Sequence, residues 1–443
     1  MKYLVLGLGI TGISTVKTLS KLGYDVYGFD SKIKNEKDLP EELKGVDFSP
    51  IFNLEDLEDR DFICIKSPGI PVNSEIIKTI LDKKIEVVSD LEMAYRLFGD
   101  KNLIAITGTN GKTTTTMLVN HILNESGKKS IAIGNIGIGM LWEIYSNPDI
   151  EFFVIESSSF QLESTKDFRT KVAAITNISP DHIDWHGNFE NYFNAKKKVF
   201  LNQNSEDKLI LNMDDEYLKG LGKEIKSKVI TVSLTDKNRD FYYDKPFINH
   251  GNKTVLDTNK LNIPGLHNIQ NTLIAAAITS TLGVLDEDIE KACYSFNSVE
   301  HRIEFVRDFN SVKFYNDSKG TNVDSTMKAL YSFENPIILI AGGYDKKVSF
   351  KEMFLDGRER IKHLILMGST AAQMKKEALE AGIEGISVVE NMSKAVDLST
   401  KIMDSGDIVL LSPACASWGM YNSYIERGND FKNLVNNLNA FEN

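Results

Sequence analysis

The residues best placed for chemistry stand where apolar runs give way to polar turns. Gly108-Thr109-Asn110-Gly111-Lys112-Thr113 follows the apolar run Leu103 to Ile106 and precedes Thr114 to Leu123, a predicted helix. Strand, glycine-bearing loop and helix make a phosphate cradle. Two glycines let successive N–H groups and the helix N-terminus face an anion, Lys112 adds a point charge, and Thr113 offers a hydroxyl to Mg²⁺. ATP or GTP is the expected guest. The pattern G-x-x-x-x-G-K-[ST] lacks its first glycine, because position 106 is Ile, so a chance Gly-Lys-Thr turn is the competing reading.

Three further stretches carry candidate groups. Phe152 to Ile155 runs into Glu156-Ser157-Ser158-Ser159, so Glu156 emerges at a strand tip, where the metal-organising acid of a phosphate-loop enzyme belongs. A lone glutamate there is more often a solvated carboxylate. Val172 to Thr176 leads likewise into Asn177-Ile178-Ser179-Pro180-Asp181-His182 and places His182 at another tip, where a structural histidine is the competing reading. Together they make a Mg²⁺ site, dominated by carboxylate and phosphate because imidazole is an uncommon Mg²⁺ ligand. Ala195-Lys196-Lys197-Lys198 reads by composition as an exposed basic stretch of helix. Asn268 and Asn271, three apart at a helix start, share a face and can read a purine or ribose edge or cap the helix.

The elements that position these groups alternate between strand and helix along the chain, an α/β pattern. Lys2 to Leu6 is a strand, Gly7-Leu8-Gly9-Ile10-Thr11-Gly12 fits G-x-G-x-x-G, and a helix runs through Leu19. Asp25 to Phe29 is the next strand and ends in Asp30, about where a ribose-binding acid stands in a dinucleotide fold. NAD is one guest for this loop; any diphosphate nucleotide suits it. Phe62 to Ile65 leads to the rigid turn Ser67-Pro68-Gly69-Ile70-Pro71. Residues 1–93 read as one domain, and 94–298 as a parallel sheet covered by helices, including a core-facing helix from Thr272 to Leu282. Residues 299–443 hold strands at Pro336 to Ala341, His363 to Met367 and Ile408 to Leu411. Polar turns in that last segment, His301-Arg302, Asn316 to Asn322, Gly342 to Lys346 and Ser412 to Trp418, suggest a ligand-facing surface. Phe431 to Asn443 reads as a terminal amphipathic helix.

A chain of 443 residues exceeds one hydrophobic core, so two or three domains are expected. A formal net charge of -11 argues against neutralising a nucleic-acid backbone. Cys64, Cys293 and Cys415 form no C-x-x-C pair, which suits a reducing cytosol and offers no zinc or disulfide framework. The N-terminus opens on a strand-like run, and no apolar stretch approaches the roughly 18 residues that cross a bilayer. A cytoplasmic protein with no membrane span is expected.

These motifs, Gly108 to Thr113, Glu156-Ser-Ser-Ser-Phe-Gln-Leu162, Asn177 to His182, His267-Asn-x-x-Asn271, His301-Arg302 and Asn316-Asp-Ser-Lys-Gly-Thr-Asn322, resemble the Mur ligases of peptidoglycan synthesis over nearly the whole chain. The opening Gly-Leu-Gly-x-Thr-Gly and the closing Ser412-Pro-Ala-Cys-Ala-Ser-Trp418 with Glu426-Arg427-Gly428 are similar to the members that add D-glutamate. The resemblance implies three domains: a Rossmann-like N-terminal one (1–93) for the UDP precursor, a central P-loop ATPase (94–298), and a Rossmann-like C-terminal one (299–443) for the amino acid. It implies an ATP- and Mg²⁺-dependent amide ligase, acting as a monomer in cell-wall biogenesis, that joins D-glutamate to UDP-N-acetylmuramoyl-L-alanine through an acyl phosphate.

Residue by residue, the resemblance puts ATP at Gly108, Thr109, Asn110, Gly111, Lys112, Thr113 and Thr114, completed by Asn268, Asn271, Arg302 and Asp317. Metal falls to Thr113, Glu156, His182 and a carbamylated Lys196, with Lys112, Glu156, His182 and Lys196 catalytic. Uridine is expected at Thr11, Asp30, Ser31 and Lys32, the muramoyl part at Asn135, and D-glutamate at Thr321, Lys346, Ser417 and Tyr424. Other classes remain open. A GTP-regulated binding protein is permitted by a phosphate loop, although no Asn-Lys-x-Asp guanine-reading sequence is present. An NAD-dependent oxidoreductase could use Gly7, Gly9, Gly12 and Asp30, and a folylpolyglutamate-type or other Mur ligase would differ in its acceptor.

Overall fold

Strands that are apolar at every position cannot leave a face in water, and here they stack into parallel sheets with helices on both sides. Leu103 to Ile106, Phe152 to Ile155 and Val172 to Ile175 are all buried. The computed structural model describes residues 1–54, 61–99, 101–137, 139–297, 299–344 and 348–438. The chain forms two compact units, Met1–Asn259 with Gln270–Tyr294, and Lys260–Ile269 with Ser295–Asn443. The first carries two sheets and the second a third. Of the divisions read from the sequence, the one after residue 93 falls inside helix Asp90–Phe98, and Ser298 lies outside the described residues.

In the first sheet five parallel strands run in the spatial order Ser49–Ile51, Asp25–Phe29, Lys2–Leu6, Phe62–Lys66, Glu86–Val88. The strand order reverses between Lys2–Leu6 and Phe62–Lys66. Crevices for ligands open at the C-terminal strand ends beside such a switch point. The second sheet has nine strands, with Asn102–Thr107 between Phe152–Glu156 and Val172–Ile175, all parallel. Its far edge turns antiparallel through Phe247–His250 and Lys253–Asp257. Glu92 ties the two sheets of this unit together. Its fully buried carboxylate accepts from the N–H groups of Lys166, Asp167 and Phe168 and from Arg96 Nε.

The third sheet, in the second unit, has six strands ordered Glu304–Phe309, Val312–Asn316, Ile408–Leu411, Ile337–Ala341, Ile361–Leu366, Ile386–Val388. Only its first pairing is antiparallel. The expected α/β class and parallel-rich sheets are present, with the last helix at Tyr424–Asn436. The helix read over Thr114 to Leu123 spans Lys112–Glu125, and the one read from Thr272 begins earlier, at Leu266.

Candidate active site

The register of the second sheet gathers the loop and its acid. Ile106 pairs with Glu156 and Thr107 with Ile175, so the phosphate loop leaves the sheet between Glu156 and Asn177. Asn177 clamps that loop. Its Oδ1 accepts from Asn110 N (3.0 Å), its Nδ2 donates to Asn110 O (3.0 Å), and its carbonyl accepts from Thr109 N (2.8 Å). Thr176 Oγ1 donates to Asn110 O at 2.6 Å, and Thr109 Oγ1 lies 2.8 Å from the Tyr192 hydroxyl. Gly108 needs its missing Cβ, because φ is +147° and a methyl would lie 1.9 Å from Thr176 Oγ1. Gly111, at φ +80°, caps helix Lys112–Glu125, whose first-turn N–H groups form the anion-facing end; Thr113 and Thr114 open that helix. Lys112 Nζ folds back onto Gly108 O (2.9 Å) and Thr109 O (2.8 Å).

Lys196 overturns the compositional reading of its stretch, since it is 2% exposed. Its Nζ donates to Gly108 O at 2.6 Å and lies over the Tyr192 ring. Burial, with the Lys112 cation next to it, holds its ammonium well below the ordinary lysine value, and Asp181 and Glu156 offset this only in part. Glu156 is also buried; its Oε1 accepts from Asn135 Nδ2 at 2.9 Å, and its Oε2 has no hydrogen-bond partner among the described residues. An orphaned buried carboxylate oxygen suits a cation, so this donor set fits a hard metal ion. His182 is half-exposed, in a left-handed conformation (φ +50°), with its ring against Phe160 at 4.8 Å. Among the described residues no three His, Cys, Asp or Glu side chains form a cage, so phosphate oxygens would have to supply part of any coordination shell.

At the switch point of the first sheet lies a cleft of about 740 Å³. It brings together Thr11, Asp30, Ser31, Lys32 and Asn135, the five residues assigned to the UDP precursor. Asp30 shapes the cleft as well as facing it, for its carboxylate accepts from Leu8 N and Lys32 N, each at 2.9 Å. The turn Ser67 to Pro71 forms one wall, and Gln161, which the sequence reading left without a role, forms another. Its signal lay in the Glu156 to Leu162 motif. The cleft and the phosphate loop are joined through the hydrogen bond from Asn135 to Glu156.

Asn268 and Asn271 both fall on helix Leu266–Thr281 and are buried. Asn271, in the first unit, accepts through Oδ1 from Thr115 Oγ1 at 3.3 Å and lies against Gly111. Asn268 belongs to the second unit and donates to Pro264 O at 2.7 Å. In that unit Asp317 follows strand Val312–Asn316, and Ser412 Oγ donates to it at 2.7 Å. Burial pushes the Asp317 carboxyl up to about 7 against the pull of Ser412 and Arg302. Ser417 is buried in the turn after Ile408–Leu411, and Tyr424 begins the last helix, its ring 5.3 Å from Lys319 Nζ. Thr321 is partly buried beside Asn322, which caps helix Val323–Leu330. Lys346 lies outside the described residues. Arg427, quoted only as part of a motif, is buried and braces this turn by donating to Ser318 O and Cys415 O.

Family models match in chain order: the Mur ligase MurD-like N-terminal domain at residues 1–89, the Mur ligase middle domain at 106–279, and the Mur ligase glutamate ligase domain at 301–415. The chain is 42% identical to the UDP-N-acetylmuramoylalanine--D-glutamate ligase of Clostridioides difficile, over 99% of this chain and 98% of that one. It is 40% identical to the ligase of the same name from Caldanaerobacter subterraneus subsp. tengcongensis, with the same coverage. Among solved structures it is similar in fold to the UDP-N-acetylmuramate-alanine ligase MurC of Thermotoga maritima (TM-score 0.61, 19% identity, 98% and 99% covered). It is likewise similar to MurF of Acinetobacter baumannii (TM-score 0.60, 17% identity, 84% and 85% covered). Matched by these three models over most of its length and by the relatives over 99% of it, the chain belongs to the Mur ligase family.

Proposed function

We propose that the chain is the ATP-dependent ligase that adds D-glutamate to UDP-N-acetylmuramoyl-L-alanine in peptidoglycan synthesis. One observation carries the reading: Asn135, in the wall of the precursor cleft, donates to Glu156, the acid beside the phosphate loop. The acyl end of one substrate and the γ-phosphate of the other thereby meet. A carboxylate is anionic and a poor electrophile, so activation must precede amide formation. The L-alanyl carboxylate oxygen attacks the γ-phosphorus and ADP leaves. The amine of D-glutamate then attacks the acyl carbon of the mixed anhydride, loses a proton, and phosphate departs from the tetrahedral intermediate.

Positioning and charge neutralisation do most of this work. Lys112 and the N-terminus of its helix hold the β- and γ-phosphates, with Gly108 to Thr114 and Asn271 shaping the cradle. Asn268, Arg302 and Asp317 are the further residues this reading assigns to the nucleotide. Thr113 and the free Oε2 of Glu156 are the groups that would hold Mg²⁺, with His182 and a carbamylated Lys196 serving a second ion. Bound Mg²⁺ supplies positive charge that neutralises the phosphate oxygens during transfer. The depressed basicity of Lys196 favours the neutral amine, the form that can add CO₂ with loss of a proton to give a hard oxygen ligand in place of a repelling ammonium. Thr11, Asp30, Ser31 and Lys32 receive the uridine, and Thr321, Lys346, Ser417 and Tyr424 the D-glutamate.

Domains at 1–93, 94–298 and 299–443, a monomeric working form and a cytoplasmic setting belong to the same reading. No helix among the described residues is long and apolar enough to cross a membrane, and the three buried cysteines form no disulfide. The experiment is phosphate release from ATP and Mg²⁺ with UDP-N-acetylmuramoyl-L-alanine, comparing D-glutamate with L-glutamate, L-alanine, L-lysine and meso-diaminopimelate. Release confined to D-glutamate, with the matching mass increase in the UDP product, supports the reading. Release with another amino acid reassigns the acceptor, and silence with all five overturns the precursor assignment.

A further inference from the structure

Gln161 is 2% exposed, yet its side chain lines the precursor cleft. The direction of its amide is fixed from both sides. Oε1 accepts from Ser158 N (3.1 Å) and Ser158 Oγ (2.9 Å), and because a backbone N–H can only donate, this atom must be the oxygen. Nε2 therefore points the other way, toward the two carboxylate oxygens of Asp90 at 3.3 and 3.1 Å. An amide nitrogen carries two protons. The carboxylate takes one, and among the described residues no further acceptor takes from Nε2.

Asp90 is itself buried and accepts from Leu91 N at 3.1 Å. Such a carboxylate needs a compensating charge. Burial pushes the Asp90 carboxyl up to about 6, offset first by the hydrogen bonds from Gln161 and Leu91 and then by the charge of Lys66, the last residue of strand Phe62–Lys66. This lysine is fully buried, and its charge interacts with those of Asp90 and Glu163. Its Nζ donates to Ile70 O at 3.1 Å, bracing the opposite wall turn of the same cleft. Neither residue touches the phosphate loop, so neither is explained by nucleotide binding.

We propose that Asp90 is a positioning residue that fixes the polarity of the Gln161 amide. Gln161 then presents a donor, never an acceptor, to a carbonyl or carboxylate oxygen on the muramoyl-alanyl arm of the precursor. A flipped amide would set Oε1 against the carboxylate and leave Ser158 N without an acceptor, so the flipped state is excluded while Asp90 is ionised. The inference rests on the substrate reading above and adds to it a selection rule: the cleft accepts an arm bearing an oxygen acceptor at this point.

The test is calorimetric titration of UDP and of UDP-N-acetylmuramoyl-L-alanine into wild type, Asp90→Asn, Gln161→Ala and the double variant. Asp90→Asn puts an NH₂ group where Oδ2 now accepts. It should weaken the full precursor about tenfold, the size of one hydrogen bond, and UDP less than twofold. In the Gln161→Ala background, Asp90→Asn should have no further effect, which a merely structural role would not reproduce. Steady-state kinetics should show a raised KM for the precursor with the KM values for ATP and D-glutamate unchanged. If Asp90→Asn folds poorly, Asp90→Asn with Lys66→Met removes both buried charges and should give the same tenfold split. Equal losses for UDP and precursor, or an additive double variant, would overturn the proposal. Wild-type protein that binds precursor no more tightly than UDP would instead sink the substrate reading itself.

Discussion

Two glycines with the same φ give a controlled measure of what the phosphate loop requires. Gly111 and Gly127 both have φ of +80°, the first at the start of helix Lys112–Glu125 and the second just beyond its end. A Cβ on Gly127 would meet nothing within 4 Å, whereas one on Gly111 would lie 2.3 Å from Asn271 Oδ1. Gly127→Ala should therefore cost only the left-handed strain, roughly 1–2 kcal/mol. Gly111→Ala should cost that and more, because Asn271 is buried and its Oδ1 accepts from the buried Thr115 hydroxyl. Displacing the amide leaves Thr115 unsatisfied, adding roughly 1–3 kcal/mol. The pair is compared by urea denaturation and by ATP titration. Gly111→Ala should be the less stable by at least about 1 kcal/mol and should lose ATP affinity at least tenfold, with Gly127→Ala retaining it. Equal destabilisation, or equal ATP affinity, would refute the close approach of Asn271 to the loop.

Lys112→Ala should abolish phosphate release while leaving the urea midpoint near that of wild type, because its Nζ donates to the carbonyls of Gly108 and Thr109 within the loop; full turnover in that variant would remove the loop from the mechanism. Glu156→Gln keeps an oxygen for Asn135 Nδ2 and removes the charge, so the Mg²⁺ concentration for half-maximal rate should rise at least tenfold; an unchanged Mg²⁺ profile would take Glu156 out of the metal site. Burial holds His267 down at about 4, below the 6.5 of the unfolded chain. The unfolded chain then binds more protons between these values, and stability falls as pH drops from 6.5 toward 4. The loss is up to about 3 kcal/mol, discounted for the part of the residue that reaches solvent. Urea midpoints of wild type and His267→Gln from pH 7 to 4 check this, and parallel profiles would contradict it. Lys196, if carbamylated, should show a mass increase of one CO₂ under native conditions that Lys196→Met lacks.

Much of the chemistry was legible in the residues because it is written in local pattern. A strand, a turn rich in glycine and a helix are contiguous, so the loop from Gly108 to Thr113 and the glycine turn at Gly7 to Gly12 are set by short-range sterics and helix-end hydrogen bonding. The α/β class follows from runs such as Ile337–Ala341, whose buried positions leave no polar face. Tertiary structure alone decided which strand tips become neighbours. Asn102–Thr107 lies between Phe152–Glu156 and Val172–Ile175, and no local rule dictates that order. Burial was also beyond local reading: three consecutive lysines look solvated, yet helix packing closes over Lys196 and leaves its amine against Gly108. The same holds for Lys66, Asp90 and Gln161, brought together from separate elements. Sequence determines what each residue can donate, accept or titrate; the fold determines which of them are taken out of water together, and a desolvated charge is the quantity that binding and catalysis use.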